Sequence, residues 1–212
     1  MRIVVFGATG NVGGHLARRA CEKGHEITAV VRDPARYEAP AGARVEVGDV
    51  LDAAFAARVI AGHDVVVSGL GMRYAHPWAK RRSPDDFVSR ATAGLIAGAR
   101  AAGVKRLQIV SAAGVGSSRA VMNFAMQVML KLSNVGVAYA DLDRTEALLA
   151  ASELDWQAVR PVTLTHGPAS QKAHVVASYG TFTTIPRDEV ARYMLGELER
   201  PAFSERTPMI AG

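Results

Sequence analysis

The stretch Gly7-Ala8-Thr9-Gly10-Asn11-Val12-Gly13 decides the fold of this chain of 212 residues. It follows residues 2–6, a short run rich in β-branched side chains, and residues 13–23 continue with the spacing of a helix. In a strand–turn–helix unit, Gly7 permits the sharp turn, Gly10 lets the backbone approach a pyrophosphate, and Gly13 allows close packing of helix on strand. The stretch therefore predicts a dinucleotide site at a helix N-terminus, rather than an ordinary turn without a ligand.

Strand-like and helix-like segments alternate over the first 160 residues. Further strands are predicted at residues 26–31, 44–47, 64–68, 106–110 and 156–159. Helices are predicted at residues 119–132 and 141–152. A longer helix is expected to begin with Ser83 as its N-cap and Pro84 in its first turn, and to end near residue 102. This alternation predicts an α/β fold with a doubly wound parallel sheet, the Rossmann fold.

The pattern loosens after Pro161. A short strand near residues 173–177, a helix near 187–199 and a final strand near 208–211 predict a small C-terminal portion that covers the substrate. The length of 212 residues and the hydrophobic content of 49% suffice for one sizeable core. We therefore expect a single domain over residues 1–212.

Cysteine and histidine usage narrows the class of protein. Cys21 is the only cysteine, so neither a disulfide framework nor a cysteine metal cluster is expected. His25, His63 and His76 have no partner at a metal-ligand spacing, and no metal is predicted. Residues 1–6 form too short an apolar run for a signal peptide or a membrane span. These features favour a cytoplasmic protein.

The net charge of +5 raises the question of a nucleic-acid partner. Lys80-Arg81-Arg82 is a short basic cluster, but most other basic residues are scattered between acids on predicted helix surfaces. A nucleic-acid site would gather them on one face. We therefore expect a small-molecule partner, no nucleic acid or membrane, and a monomer or homodimer. A modest positive charge also suits a ligand with several phosphates.

The end of the second predicted strand bears on the choice of dinucleotide. NAD-dependent proteins usually place an acid there to bind the ribose hydroxyls, whereas a base accommodates the 2′-phosphate of NADP. Here Arg32 comes first and Asp33 follows it. The planar guanidinium matches phosphate oxygens, which favours NADPH over NADH. Two alternatives stay open: Asp33 as a ribose partner, and Arg32 as a solvated surface side chain.

Several further segments carry a resemblance to a known family. They are Gly24-His25, Val31-Arg32-Asp33-Pro34, Gly48-Asp49-Val50, Ile109-Val110-Ser111, residues 154–161, and Ile185-Pro186-Arg187-Asp188-Glu189-Val190-Ala191. Together with the glycine turn, they resemble the atypical short-chain dehydrogenases/reductases, and among these the NmrA-like and biliverdin reductase B or flavin reductase-like NAD(P)H-binding proteins. The resemblance spans nearly the whole chain.

The resemblance implies cofactor contacts after three strands. Asp49 and Val50 would contact the adenine, and Ser68, Gly69, Leu70 and Gly71 the nicotinamide-side ribose. Pro161, Val162 and Thr163 would lie beside the nicotinamide ring. The second group lies at the topological switch point, where open α/β sheets bind ligands. For Asp49 a purely local role is the alternative, as a turn aspartate that caps a helix beginning near Leu51.

The familiar catalytic pair of short-chain reductases is missing from the sequence. These enzymes have a lysine four residues after a tyrosine, and the lysine lowers the tyrosine pKa so that the phenol can donate a proton. Here Tyr139 is followed at that spacing by Asp143, which would raise the phenol pKa if it were close. Standard tyrosine–lysine catalysis is therefore not predicted.

Two other side chains are candidates for catalysis. The resemblance places Ser111 beside the nicotinamide, where it could bind the carboxamide or a substrate carbonyl; a local backbone bond is the alternative. His166 lies in a loop expected to cover the nicotinamide and could supply a proton, unless it is simply an exposed histidine. Residues 72–82 combine aromatic and basic side chains that could hold a planar anion, or form only a surface loop.

Three functions are compatible with these features. The first is an NADPH-dependent oxidoreductase that reduces a small planar acceptor, such as a flavin, quinone or tetrapyrrole, by hydride transfer. The cofactor would perform the chemistry, so a missing tyrosine–lysine pair is not decisive. The second is a non-catalytic, NADP(H)-sensing regulatory protein of the NmrA-like type. The third, an adaptor without nucleotide binding, is disfavoured by the intact glycine turn.

Overall fold

A mostly parallel sheet of eight strands forms the centre of the fold in the computed structural model, which describes residues 1–72, 76, 78–79 and 83–212. The strands in the described residues are β1 (Arg2–Phe6), β2 (Glu26–Val31), β3 (Arg44–Val47), β4 (Val65–Ser68), β5 (Arg106–Val110), β6 (Asp155–Pro161), β7 (Thr163–Thr165), β8 (His174–Val175), β9 (Thr184–Pro186) and β10 (Met209–Ala211). The α-helices in the same residues are α1 (Asn11–Glu22), α2 (Ala53–Ile60), α3 (Phe87–Ala101), α4 (Phe124–Leu132), α5 (Asn134–Ala150) and α6 (Arg187–Leu198).

The strand order confirms the predicted Rossmann fold. Along the sheet it is β3-β2-β1-β4-β5-β6-β10-β8, and its first six positions have the order of a doubly wound dinucleotide-binding sheet. All neighbouring strands in the sheet are parallel except β8, which pairs antiparallel with β10 at one edge. β7 and β9 form a separate parallel pair. The C-terminal portion thus extends the main sheet as well as flanking it.

Helices cover both faces of the sheet because its central strands are apolar on both sides. In β1, Ile3 and Val5 face a core that includes Leu16 of α1 and Met194 of α6. The alternate residues of β1, Val4 and Phe6, face a second core with residues of α2, α3 and α5, Leu95 of α3 among them. The helices cover the two faces of the sheet, and the carboxyl ends of its strands stay accessible.

Some predicted helix boundaries are wrong. Ser83 is not the N-cap of α3: Ser83 and Pro84 precede a turn in which the Phe87 amide donates to the Pro84 carbonyl at 3.2 Å, and α3 begins at Phe87. The helix predicted to begin at residue 119 is a 3₁₀ turn, Gly116–Val121, followed by α4. α5 begins at Asn134 instead of residue 141, with Ser133 as its N-cap.

A glycine explains why the start of α5 is hard to predict. Gly136 disfavours a helix by its intrinsic propensity. It lies so close to the end of α4 that a Cβ atom would be 2.0 Å from the Leu130 carbonyl oxygen. The close contact between α4 and α5 therefore requires glycine at position 136, although glycine is typical of helix ends and not of helix interiors.

An ion pair joins α1 to α6. Arg19 donates two hydrogen bonds of 2.6 Å to Asp188, which also accepts from the Ala169 amide at 3.0 Å. The hydrogen bond from Arg19, more than any other effect, lowers the pKa of Asp188 from 3.8 to about 2. Because the pKa is depressed in the folded protein, the stabilisation is present above about pH 4 and is lost as the pH falls toward 2.

We expect Arg19→Gln to lower the free energy of unfolding at neutral pH by about 1–3 kcal/mol, because it leaves the buried Asp188 carboxylate without its partner. The difference between the variant and the parent should shrink as the pH is lowered to about 3. Urea unfolding at several pH values measures both effects. Arg100→Gln, at the exposed end of α3, is the matched control and should change stability little. A pH-independent difference would contradict the role of the ion pair.

Candidate functional site

A cleft of about 530 Å³ opens at the carboxyl ends of the central strands. One wall is the turn between β1 and α1, and the other walls come from the segments that follow β2, β3, β4 and β5. The structure thus brings together most of the predicted cofactor residues; those that line the cleft are Gly7, Thr9, Gly10, Asn11, Val12, Arg32, Asp49, Val50, Gly69, Leu70, Gly71 and Ser111. The cleft lies where the chain reverses its winding between β1 and β4, the topological switch point.

The glycine turn is packed too tightly for side chains. Gly7 has a φ of +81°, and a Cβ there would lie 2.9 Å from the carbonyl carbon of Gly69. A Cβ on Gly13 would lie 2.5 Å from the Gly7 carbonyl oxygen. The first turn of α1 can therefore lie directly against the ends of β1 and β4.

The N-terminus of α1 is suited to a pyrophosphate. The first amides of any helix lack partners within the helix, and its N-terminus carries a partial positive charge. The N-cap of α1 is Gly10, which has no side chain to accept from these amides. Thr9 and Asn11 flank it on the cleft wall. A phosphate oxygen would meet these amides where a capping side chain would otherwise lie.

The end of the cleft beside β2 contains Arg32 but, within the described part of the chain, not Asp33. The Asp33 carboxylate instead caps a short 3₁₀ turn, Pro34–Arg36, by accepting from the Ala35 amide at 3.1 Å. Asp49 lines the cleft, and its Oδ1 atom accepts from the Leu51 amide at 3.0 Å. It is not the N-cap of α2, since α2 begins at Ala53 and Asp52 caps it.

At the other end of the cleft, Ser111 is held by a buried ion pair that the sequence did not reveal. Its Oγ atom donates to the Glu146 carboxylate at 2.6 Å. Arg160 in turn donates to both Glu146 oxygens and, at 2.9 Å, to the Ser117 hydroxyl. Because the Ser111 proton is held by a carboxylate, the lone pairs of its oxygen are left to accept from a group in the cleft.

Tyr139 shares this end of the cleft with Ser111. Its hydroxyl donates to the Ala113 carbonyl at 3.1 Å. Asp143, one helical turn later, accepts from the Gly116 amide at 2.9 Å and pairs with Arg119. The Asp143 carboxylate thus holds the loop after β5, in place of the lysine that short-chain reductases have at this spacing.

Comparison with known proteins identifies the family. The NAD(P)H-binding family matches residues 7–201 of the chain. The chain belongs to this NAD(P)H-binding family. That confirms the family inferred from the sequence motifs.

A Streptomyces protein named 3-diazoavenalumate denitrifying reductase is 34% identical over 185 residues. The match covers 80% of this chain and 58% of that protein, so the chain spans a little over half the length of this curated relative. Among solved structures, this chain resembles ChuY of Escherichia coli O157:H7, which is described as an anaerobillin reductase. The two are 22% identical with a TM-score of 0.80, and the match covers 99% of this chain and 96% of that chain. The oxidoreductase ylbE of Lactococcus lactis is 17% identical with a TM-score of 0.80, covering 100% and 91%. These two likenesses show the fold.

The cleft fits the dinucleotide that the family binds. The closely packed glycines, the uncapped N-terminus of α1 and the exposed guanidinium of Arg32 are the features of the cleft that suit phosphate groups. Ser111 lines the same cleft.

The structure separates several other predicted residues from the cleft of this NAD(P)H-binding protein. Ser68 is buried within the sheet, and Pro161 and Val162 are buried at the end of β6. Thr163 is exposed, and it is Leu164 that reaches the cleft wall. His166 lines a second, smaller cavity. For residues 72–82, Met72 lines the cleft and Trp78 is exposed, while residues 73–75, 77 and 80–82 lie outside the described residues.

Arg187, the first residue of α6, is a cleft residue to which the sequence analysis gave no role. Its Nη1 atom is buried and has no hydrogen-bond partner among the described residues. Buried donors of this kind are uncommon in folded proteins and often mark a ligand or water site. Arg187 belongs to the family-like motif at residues 185–191, which could have drawn attention to it. Only the packing of α6 against α1 brings Arg187 to the cleft.

No cluster of three or more metal-ligating side chains occurs in the described part of the chain. Nor does that part contain a helix with the length and apolar character needed to span a membrane.

Proposed function

We propose that the protein is an NADPH-dependent reductase that transfers hydride to a small planar acceptor such as a flavin, quinone or tetrapyrrole. One observation carries this proposal: the cleft that contains Ser111 is also lined by Tyr139, Leu142 and Leu164. Aromatic and aliphatic side chains of this kind suit the face of a flat ring. The names of the Streptomyces and Escherichia coli proteins, both called reductases, support the same class of reaction.

The chain's own residues bind and orient the reactants. Bound NADPH would supply the hydride, as nicotinamide cofactors do. Ser111, its proton held by Glu146, accepts from the carboxamide amide group and so sets the orientation of the ring. The apolar wall holds the acceptor against that ring. With an aspartate in place of the usual lysine after Tyr139, the proton that accompanies reduction comes from solvent.

A panel of acceptors tests the proposal. Purified protein is mixed with NADPH and, separately, a flavin, a quinone and biliverdin, and the loss of NADPH absorbance is followed. We expect oxidation that depends on both protein and acceptor. Tight NADPH binding without oxidation by any acceptor would favour the NADP(H)-sensing regulator instead.

The cytoplasmic location and the assembly as a monomer or homodimer stay predictions.

The preference for NADPH is the second part of the proposal. Arg32 offers a guanidinium at the adenosine end, whereas Asp33 is engaged in its own turn. Arg32→Ala should therefore weaken NADPH binding by about 1–3 kcal/mol, and NADH binding much less, because one charge-assisted contact is lost. Fluorescence titration of both cofactors measures the difference. Arg36→Ala, an exposed arginine in the adjacent turn, is the control and should leave the preference intact. Equal losses for the two cofactors in Arg32→Ala would remove Arg32 from the site.

A further inference from the structure

A second cavity of about 370 Å³ adjoins the cofactor cleft. Its walls come from three elements: His15 and Arg18 on α1, the loop that carries His166, and Arg187 at the start of α6. Asn11 and Arg187 line both cavities, so the two spaces meet there. A ligand bound in the cleft can therefore extend a side arm into the second cavity.

The charges in this cavity favour an anion. Arg18 and Arg187 are the arginines among its described lining residues. Asp188 is the one acid among them; it accepts two hydrogen bonds from Arg19, and it lies 3.9 Å from Arg18 and 3.4 Å from His15, so its charge is compensated by several neighbours. Burial, more than the neighbouring charges, lowers the pKa of His15, so the positive potential at neutral pH comes from the arginines. Glu22 lies 3.9 Å from Arg18 but is well exposed, which screens its charge.

Arg187 provides the observation that points to a ligand. Its buried Nη1 atom lacks a hydrogen-bond partner in the described structure, and a desolvated, unpaired guanidinium N–H is costly. A carboxylate or phosphate oxygen at the junction of the two cavities would satisfy it with a charge-assisted bond.

The part of the cavity beside Arg18 lies away from the pyrophosphate site, whereas Arg187 lies at the junction with Asn11. The pyrophosphate site is at the N-terminus of α1, near Gly10 and Asn11. Arg18 lies seven residues farther along the helix, or about 10 Å. A dinucleotide that runs from Arg32 to Ser111 across the strand ends does not follow α1 in this direction.

We propose that the second cavity is an anion subsite for the acceptor, which receives a carboxylate or phosphate group borne by the planar ring system. Arg187 binds this group at the junction, and Arg18 and His166 surround it farther in. The inference rests on the proposed reductase function and narrows its substrates to planar acceptors with an anionic arm.

Matched ligand pairs test the subsite by binding, independently of turnover. FMN and riboflavin differ by a phosphate, and biliverdin and its dimethyl ester differ by carboxylates. In the presence of NADP⁺, the parent should bind the anionic member of a pair about tenfold or more tightly, as measured by fluorescence quenching. The pair that shows the preference identifies whether the subsite takes phosphate or carboxylate. Arg187→Gln should bring the ratio close to one, and Arg18→Gln should lower it by a smaller factor.

Arg100→Gln is the control, because it also removes one positive charge. Arg100 lies about 20 Å from the first turn of α3, which lines the cleft. This variant should keep the parent's ratio of affinities for the two members of each pair. Melting curves establish that each variant is folded. Equal binding of both members of each pair by the parent would overturn the subsite. The subsite would also be overturned if Arg187→Gln lost as much affinity for NADPH as for the anionic ligand. Arg187 would then be a ligand of the cofactor. Selective binding of anionic ligands without NADPH oxidation would instead refute the reductase and leave the subsite standing.

Discussion

Gly10→Val is expected to abolish NADPH binding in a protein that still folds. A Cβ at this position would lie 3.0 Å from the Gly7 carbonyl oxygen and 3.5 Å from that of Gly69, which is crowded but not prohibitive. The branched side chain would occupy the space in front of the α1 amides, where the pyrophosphate must approach. We expect a cooperative melt, a stability loss of about 1–3 kcal/mol, and no thermal shift on addition of NADPH.

The control for this variant is a glycine at a distant site whose replacement should also lower stability. Gly62 follows α2, has a φ of +81° and has open space around its Cβ position. Gly62→Ala should lower stability through backbone strain yet keep the full NADPH-induced shift. An NADPH shift retained in Gly10→Val would contradict the assignment of the pyrophosphate site.

Ser111→Ala is expected to lower acceptor-dependent NADPH oxidation by roughly ten- to a hundredfold, which corresponds to about 1.4–2.7 kcal/mol in the transition state. The variant removes the oxygen that orients the carboxamide and leaves the Glu146–Arg160 pair intact. Tyr139→Phe should reduce the rate only a few fold, because its hydroxyl donates to the Ala113 carbonyl and the described residues that line the site include no lysine to activate it. Steady-state rates with a flavin and a quinone measure both variants.

A reversed outcome would change the mechanism. If Tyr139→Phe stopped turnover while Ser111→Ala had no effect, the phenol would be the proton donor. Ser111 would then have only the structural role of bonding Glu146.

The fold and the phosphate end of the site could be predicted because their signals are local. The turn from Gly7 to Gly13 needs glycine for reasons confined to one strand, one turn and one helix, so its sequence is informative by itself. The boundaries of β1, β2, β3 and β5 agree with the predicted ones, since each is a short segment rich in aliphatic side chains and is followed by a polar residue or a glycine.

The nicotinamide end could not be predicted to the same depth because it is assembled from distant elements. Glu146 and Arg160 meet behind Ser111 only when α5 packs over β6. The spacing of Tyr139 and Glu146, two helical turns apart, was a usable signal that both face the same side of α5. Val162 is buried between β6 and β7 where a cofactor contact was expected, and Leu164 of β7 lines the cleft instead.

Hydride transfer itself is tested most directly in a single turnover with NADPH that carries deuterium at the reactive nicotinamide carbon. The protein, in excess over this cofactor, is mixed anaerobically with FMN, and the decay of NADPH absorbance is compared with that of the unlabelled cofactor. The proposed function predicts complete oxidation of bound NADPH, slowed by deuterium and slowed further in Ser111→Ala. NADPH that stays bound and unoxidised with FMN, biliverdin and a quinone alike would contradict it.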